Sequence, residues 1–343
     1  MDISIDLVFN LTRNTIAHPL TLLGYLGYRA YALKGLPPKT QYTTVSYAIL
    51  ACYFVRWFSN RWRNGLIPQR RLNKTTWKDE IVLVTGGAQG IGKLTCKKLA
   101  QKGARVIALD IVPFDSEHQN ISTFKCDISN YDDLSTVQQQ VRKEMGDVTM
   151  VVNVAGINNR SLILDLDKHK VDRMIDINLK SHFYTAMIFL PAMVKRKRGH
   201  FLSVSSAMGY IGICHQSDYV ATKHALVGMQ ESLYYEMQKM YKTPYVRTSI
   251  AIIGHTKTAL FEEFNVGLIG QFLGPLLEPS YVADQIVDAL EAQETRIIQT
   301  PLMIHLLPGI KVFPSFFRDL LQALSGGDGS YESRPPKDQL ELE

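Results

Sequence analysis

"IVLVTGGAQGIG", Ile81 to Gly92, decides the fold. A short apolar run ends at Thr85, a glycine-rich turn follows, and helical spacing begins after it. Glycines let such a turn close tightly and let an anion approach the helix N-terminus, where free N–H groups and the helix dipole favour negative charge. A glycine-rich turn alone is often only a tight turn. Between a strand and a helix it becomes a candidate phosphate cradle. Working outward, the same alternation recurs. "RVIALD" (Arg105 to Asp110), "ISTFKC" (Ile121 to Cys126), "VTMVVN" (Val148 to Asn153), "HFLSVS" (His200 to Ser205) and "VRTSIAII" (Val246 to Ile253) are apolar runs separated by helical stretches, and "TRIIQT" (Thr295 to Thr300) supplies a seventh. Near-continuous apolar strands alternating with helices predict an α/β fold: a Rossmann-type, doubly wound parallel sheet of about seven strands, covered on both faces.

The second run ends in Asp110, eighteen residues after Gly92. A carboxylate there can accept from both ribose hydroxyls of an adenosine half and repels a 2′-phosphate. Ile111 and Val112 offer no basic replacement, so the pattern favours NAD over NADP. Asp127 and Ile128, after the third run, are candidate adenine contacts. The bland alternatives are a solvated strand end for Asp110 and a helix cap for Asp127.

"SDYVATKHAL", Ser217 to Leu226, places Lys223 four residues beyond Tyr219. Residues four apart share a helix face. A nearby ammonium favours phenolate and draws a tyrosine down from about 10 towards the range of a working base. A lone YxxxK match is common by chance. Here Ser206 lies thirteen residues before Tyr219, at the end of a predicted strand and so at the ligand-binding edge of the sheet. Asn178 sits in "INLK", inside a predicted long helix, an expensive place for an idle amide.

Together, "TGGAQGIG", "NVAG" (Asn153 to Gly156), Asn178, Ser206 and "YVATK" resemble the short-chain dehydrogenase/reductase superfamily in order and spacing, over residues 80–300. The resemblance implies that Tyr219 is the general acid/base and that Lys223 lowers its pKa and binds nicotinamide-ribose hydroxyls. It implies that Ser206 holds the substrate oxygen and Asn178 a relay water. Gly86, Gly90, Ile91 and Gly92 would form the pyrophosphate turn, Asn153 would stand at the cofactor site, and Thr258 would contact the carboxamide. Two positions depart: Val154 replaces the second asparagine of the usual NNAG, and Ile253-Gly254 replaces the usual PG. The apolar N-terminus, the basic linker and "GPLLEPSYVADQIVDAL" further resemble the membrane-associated retinol dehydrogenase and 17β-hydroxysteroid dehydrogenase branch, which acts on lipophilic alcohols at the endoplasmic reticulum and lipid droplets. The implied function is an NAD-dependent alcohol dehydrogenase. The rivals are a reductase of a fatty ketone or aldehyde, and a non-catalytic lipid-surface scaffold that would need none of these polar residues. A homodimer is also implied by the resemblance.

The remaining sequence bounds the setting. The chain has 343 residues, 46% hydrophobic and 20% charged, enough for a sizeable core and against general disorder. Its net charge of +6 is concentrated in seven basic residues from Arg56 to Lys78 with no acid among them. Residues 1–63 are expected to form a hydrophobic membrane-anchor region with two apolar segments, Ile16 to Leu33 and Tyr42 to Phe58, broken by "GLPPK"; the bland alternative for the second segment is a buried core helix. Tyr53 and Trp57 suit an interface belt. Residues 64–79 are a basic linker, 80–300 the NAD-binding domain, 301–325 an apolar segment that faces a membrane or packs as a helix, and 326–343 a polar tail. A basic flank after the second segment places the catalytic domain on the cytosolic side. Cys52, Cys96, Cys126 and Cys214 are too far apart for a metal site or a disulfide framework. "KRKR", Lys195 to Arg198, falls at a predicted helix C-terminus, where cations complement the dipole, so nucleic-acid binding is not expected. "ALFEEFNVGLIGQFLGPLL", Ala259 to Leu277, has the composition of a mobile apolar lid, or simply of more core. His215, His224 and His255 are expected to be structural or lid residues.

Overall fold

The computed structural model describes residues 4–14, 17–32, 41–64, 76–114, 116, 118–261 and 267–329. The chain forms two compact units, Met1–Arg71 and Leu72–Glu343. The first holds helices α1 (Ile5–Asn14), α2 (Pro19–Ala32) and α3 (Gln41–Asn64). The "GLPPK" turn lies outside the described residues. α2 packs on α3 and buries Leu22 and Leu26. Twenty-four residues give α3 roughly 36 Å of length. Its first turns, however, carry Gln41, Thr43, Thr44 and Ser46, and its last carry Arg61 and Arg63. Among the described residues no helix is long and apolar enough to cross a membrane. Instead α3 exposes an aromatic ladder, with ring centroids 6.0 Å apart for Phe54–Phe58 and 5.9 Å for Phe58–Trp62.

The second unit is built on seven parallel strands: β1 (Ile81–Thr85), β2 (Arg105–Asp110), β3 (Ile121–Lys125), β4 (Met150–Asn153), β5 (Gly199–Ser206), β6 (Val246–Ile253) and β7 (Ile297–Thr300). Their order is β3-β2-β1-β4-β5-β6-β7. The chain winds outward from β1 in both directions, so the switch point lies between β1 and β4, where open α/β sheets bind ligands. Every residue of β1, β4, β5 and β6 is buried, as the continuous apolar runs predict.

The helices of this unit are α4 (Gly90–Gln101), α5 (Tyr131–Glu144), α6 (Lys168–Ile175), α7 (Ser181–Arg196), α8 (Ser217–Tyr235), α9 (Leu268–Leu273), α10 (Pro279–Ala292), α11 (Leu307–Ile310) and α12 (Ser315–Ser325); α4 and α10 cover one face of the sheet, and α5, α7 and α8 the other. One core joins Leu99 of α4 and Ile286 and Leu290 of α10 to the sheet. The other joins Leu134, Phe189 and Leu233 of α5, α7 and α8 to the opposite face. Burying one such side chain contributes about 1.5–3 kcal/mol.

The expected long helix around Asn178 is interrupted. A π-helical turn, Asp176–Lys180, joins α6 to α7. Such turns are rare and frequently mark functional sites. The "KRKR" run divides its labour at the end of α7. Lys195 and Arg196 lie in the last turn, Lys197 is a left-handed cap with φ of 55°, and Arg198 pairs at 2.6 Å with the buried Glu80.

Candidate active site

The C-terminal edge of the sheet gathers the residues singled out in the sequence. β1 ends at Thr85, whose Oγ1 accepts from Val154 N at 3.1 Å and Ala155 N at 3.2 Å. That hydroxyl ties the glycine turn to the loop after β4. Gly86 has φ of +72°, a left-handed conformation that disfavours any side chain. A Cβ at Gly92 would lie 2.0 Å from Gly86 O, so only glycine lets α4 start this close to the turn. Gly90 opens α4, and Ile91 behind it is buried in the core. A Cβ at Gly90 would stand 3.6 Å from Thr258 Cγ2, so the loop after β6 comes back to the glycine turn.

Asp110 ends β2, half-buried. Its Oδ2 accepts from Ala88 N at 3.0 Å and its Oδ1 from Val112 N at 3.2 Å. The carboxylate braces the turn rather than standing free in solvent. Asp127 accepts from Ser129 N at 2.9 Å and Ser129 Oγ at 2.6 Å. The cap of α5 is Asn130, so the helix-cap reading of Asp127 is corrected. Ile128 turns its side chain into the core and leaves its main chain for any adenine contact.

Asn153 ends β4, 2 % exposed, and its Nδ2 has no protein partner. A buried amide nitrogen without an acceptor is costly. Asn178 is fully buried. Its Oδ1 accepts from Ile157 N at 2.8 Å and its Nδ2 donates to Ile157 O at 2.8 Å. The π turn aims that amide across to the β4 loop, where it holds both polar groups of one peptide residue.

Ser206 is the last residue of β5, and its Oγ accepts from Met208 N at 3.2 Å. Tyr219 and Lys223 lie one turn apart on α8, both buried. The Lys223 Nζ stands 5.4 Å from the Tyr219 ring centroid and donates to Val204 O at 3.1 Å. Burial lowers its pKa from 10.5 to about 8. Behind it, His182 of α7 is completely enclosed, with Nδ1 3.1 Å from Ser203 Oγ. Burial, and then the Lys223 charge, push that imidazole down to about 3, so it stays neutral. Gly156 completes the floor, since a Cβ there would meet Asn178 Oδ1 at 3.3 Å and Lys223 Nζ at 3.8 Å.

The surroundings of Tyr219 are apolar: Met174, Met208, Ile157, Ile213, Val220 and Phe261. Phe261 meets the Tyr219 ring edge-on at 5.8 Å between centroids. A cavity of about 140 Å³ runs from Ser206 past Phe261 to Leu273, Met303 and Leu307. Apolar groups line nearly all of it. His255 stands at its rim, its Nε2 3.4 Å from Phe261 O, and burial pushes its pKa down. His224 lies away from the cavity, between Val220 O at 3.0 Å and Lys311 Nζ at 2.9 Å.

A short chain dehydrogenase family model matches residues 80–267. The chain belongs to the short-chain dehydrogenase family. It is 33% identical over 255 residues to the bovine (Bos taurus) short-chain dehydrogenase/reductase family 16C member 6, covering 71% of this chain and 79% of that protein. It is 32% identical to human (Homo sapiens) epidermal retinol dehydrogenase 2, with 73% and 82% covered. Human estradiol 17-beta-dehydrogenase 11 follows at 30% identity, with 75% and 85% covered. These relatives put it in the retinol and 17β-hydroxysteroid dehydrogenase branch of the family. The ligand-free aldohexose dehydrogenase of Thermoplasma acidophilum shares the fold, with a TM-score of 0.57, 21% identity and coverage of 71% of this chain and 98% of that one. The family's sheet implies a nicotinamide nucleotide cofactor. The buried Asn153 amide at the ligand edge of the sheet, whose Nδ2 has no protein partner, fits such a group.

Several participants escaped the sequence. Phe261 was legible only as one apolar residue of a lid. His182 carries no local signal that separates it from an ordinary core residue, and Thr85 and Gly156 stand in the quoted motifs without a role of their own being legible there.

Proposed function

We propose that this chain is an NAD(H)-dependent oxidoreductase that interconverts a lipophilic alcohol (retinol, a sterol or a long-chain alcohol) and its carbonyl at a membrane or lipid-droplet surface. One observation carries the reading: a buried lysine stands beside a buried tyrosine at the sheet's ligand edge, and the cavity beside them is apolar. When bound, the nicotinamide nucleotide supplies the hydride acceptor or donor. The chain does the rest. Tyr219 Oη takes the hydroxyl proton during oxidation and returns it during reduction. Ser206 Oγ donates to the same substrate oxygen and holds it in place. Lys223, positive at pH 7, stabilises the phenolate in a low-dielectric setting and reaches for ribose hydroxyls. Asn178 keeps the β4 loop in register with both. The roles proposed for Gly86, Gly90, Ile91, Gly92, Asp110, Asp127, Ile128, Asn153 and Thr258 are nucleotide contacts. The direct test is NADH formation by purified protein with a panel of retinols, sterols and long-chain alcohols. No turnover with any member of the panel, in either direction, would sink the proposal.

Asp110 supports NAD over NADP. Replacing Asp110→Ser with Ile111→Arg removes one repulsive carboxylate and adds a phosphate partner. We expect kcat/KM to swing towards NADP by at least tenfold. Because Asp110 also braces the Ala88 amide, the NAD value should fall more than the NADP value rises. A wild-type enzyme that already prefers NADP would refute the role of Asp110.

Membrane association is proposed for both ends of the chain. In the first unit, Trp57 and Trp62 of α3 are exposed beside Arg61, which lies 5.5 Å from the Trp57 ring. That composition suits an interfacial helix better than a spanning one. In the second unit, α12 exposes Phe316, Leu320 and Leu324, and the neighbouring α9 exposes Leu268 and Ile269. Both helices border the cavity, so a lipophilic substrate would enter from the lipid side. Deleting residues 1–63 should release the protein from the membrane fraction at least in part, with any remainder held by the apolar surface of residues 303–324. Full-length protein that is soluble at ordinary salt would count against the anchor. The basic run from Arg56 to Lys78 supports a cytosol-facing domain at the endoplasmic reticulum or a lipid droplet. A second copy of the chain is proposed to cover the apolar groove between α7 and α8, where Phe183 and Met187 are exposed.

A further inference from the structure

We infer that Arg160 is a positioning residue that latches the segment over Tyr219, and so sets how long nucleotide and substrate are retained. The inference rests on the proposed nucleotide-dependent function. The loop after β4 is pinned at two points before Arg160 is reached. Ile157 is held by the Asn178 amide through both its N–H and its C=O. Asn159 Nδ2 donates to Asp218 Oδ2 at 2.6 Å, on the residue before Tyr219, and to Lys170 O at 3.2 Å. Between these anchors and the lid, Arg160 adopts φ of 53°, a left-handed conformation uncommon for a residue with a long side chain. Its N–H donates to Asn158 Oδ1 at 3.2 Å, which closes the small turn. Surroundings that over-determine such a backbone are a mark of function.

The turn aims the guanidinium across the site. Nη2 donates to Ala259 O and to Leu260 O, each at 2.8 Å, a hundred residues along the chain. These carbonyls belong to the short helical turn Ala259–Phe261. Phe261 N bonds back to Thr258 O at 3.0 Å, so the turn is continuous with Thr258. Phe261 covers the Tyr219 ring. One charged group therefore ties the loop after β4 to the segment that carries both the proposed carboxamide contact and the cover over the tyrosine. Hydrogen bonds from a charged donor are the strong class, and main-chain acceptors mean that the latch fixes lid position whatever the lid side chains are. Lids of this kind govern entry and release more than chemistry.

The test is stopped-flow release of NADH, or of NADPH should wild type bind only that nucleotide, from the full-length protein. It is paired with steady-state kinetics on the best alcohol of the panel. For R160A and R160M we expect release to accelerate tenfold or more, and KM for the alcohol to rise far more than kcat falls. R160K, with one donating head, should recover part of the retention. Wild-type release rates in a folded R160A or R160M would overturn the latch and leave the proposed function standing. A fall in melting temperature with no change in release would likewise reduce Arg160 to a structural residue. Should neither neutral variant fold, R160K must still release nucleotide at least twofold faster, and wild-type behaviour there would overturn the latch. Failure of wild type to bind either nucleotide would overturn the proposed function, and this inference with it.

Discussion

Tyr219→Phe is expected to lower turnover by roughly 10²–10⁴-fold, the usual contribution of a positioned acid/base, while NADH binding stays within about twofold of wild type. The ring is 3 % exposed and packs among Met174, Met208 and Phe261, contacts that phenylalanine reproduces. Only the hydroxyl is removed, so fold and nucleotide site should survive. Circular dichroism and nucleotide fluorescence check the survival, and the alcohol panel checks the loss. Retention of more than a tenth of wild-type activity would remove Tyr219 from the chemistry.

Lys223→Met should abolish turnover and yet stabilise the nucleotide-free protein at pH 7. Burial lowers the Lys223 pKa from 10.5 to about 8. Below about pH 8 the lysine carries its proton both folded and unfolded, and the folded state bears the whole desolvation cost. From about 8 to 10.5 only the unfolded chain holds the proton, so wild-type stability rises with pH through that window. A shift of this size corresponds to a penalty on the order of 3 kcal/mol. Methionine fills similar space without the charge. It also forfeits the charged bond to Val204 O, worth about 1.5–3 kcal/mol, which leaves a net gain of up to about 1.5 kcal/mol. Chemical denaturation at pH 7 and pH 10 reads both effects: the variant should start higher and lack the wild-type rise. Nucleotide affinity should fall as well, because the same ammonium is proposed to hold the ribose. Unchanged affinity would strike out the ribose role, and a variant less stable than wild type at pH 7 would contradict the burial cost.

The sequence by itself determined whatever depends on neighbours along the chain. The seven strands fall at the seven runs; β1, β4, β5 and β6, buried throughout, do so because a strand buried on both faces needs a near-continuous apolar run and nothing distant has to be known. β1, β2 and β6 match their runs residue for residue, and the others differ by a few residues at their ends. The glycine turn between β1 and α4, and the Tyr219–Lys223 spacing on α8, are equally local. Tertiary structure decided the rest. Strand order, and with it the switch point, depends on which runs pair across tens of residues. The π turn at Asn178 places an amide that meets both polar groups of Ile157, twenty-one residues away, a pairing no local window contains. Asp127 yields the cap of α5 to Asn130, and Ile128 yields its side chain to the core, by small differences in backbone direction that composition does not encode. Phe261 reaches Tyr219, and Arg160 reaches the carbonyls of Ala259 and Leu260, only because the parallel sheet brings the loops after β4, β5 and β6 to one edge. Contacts of that range are set by the path of the whole chain, and no window of sequence contains both partners.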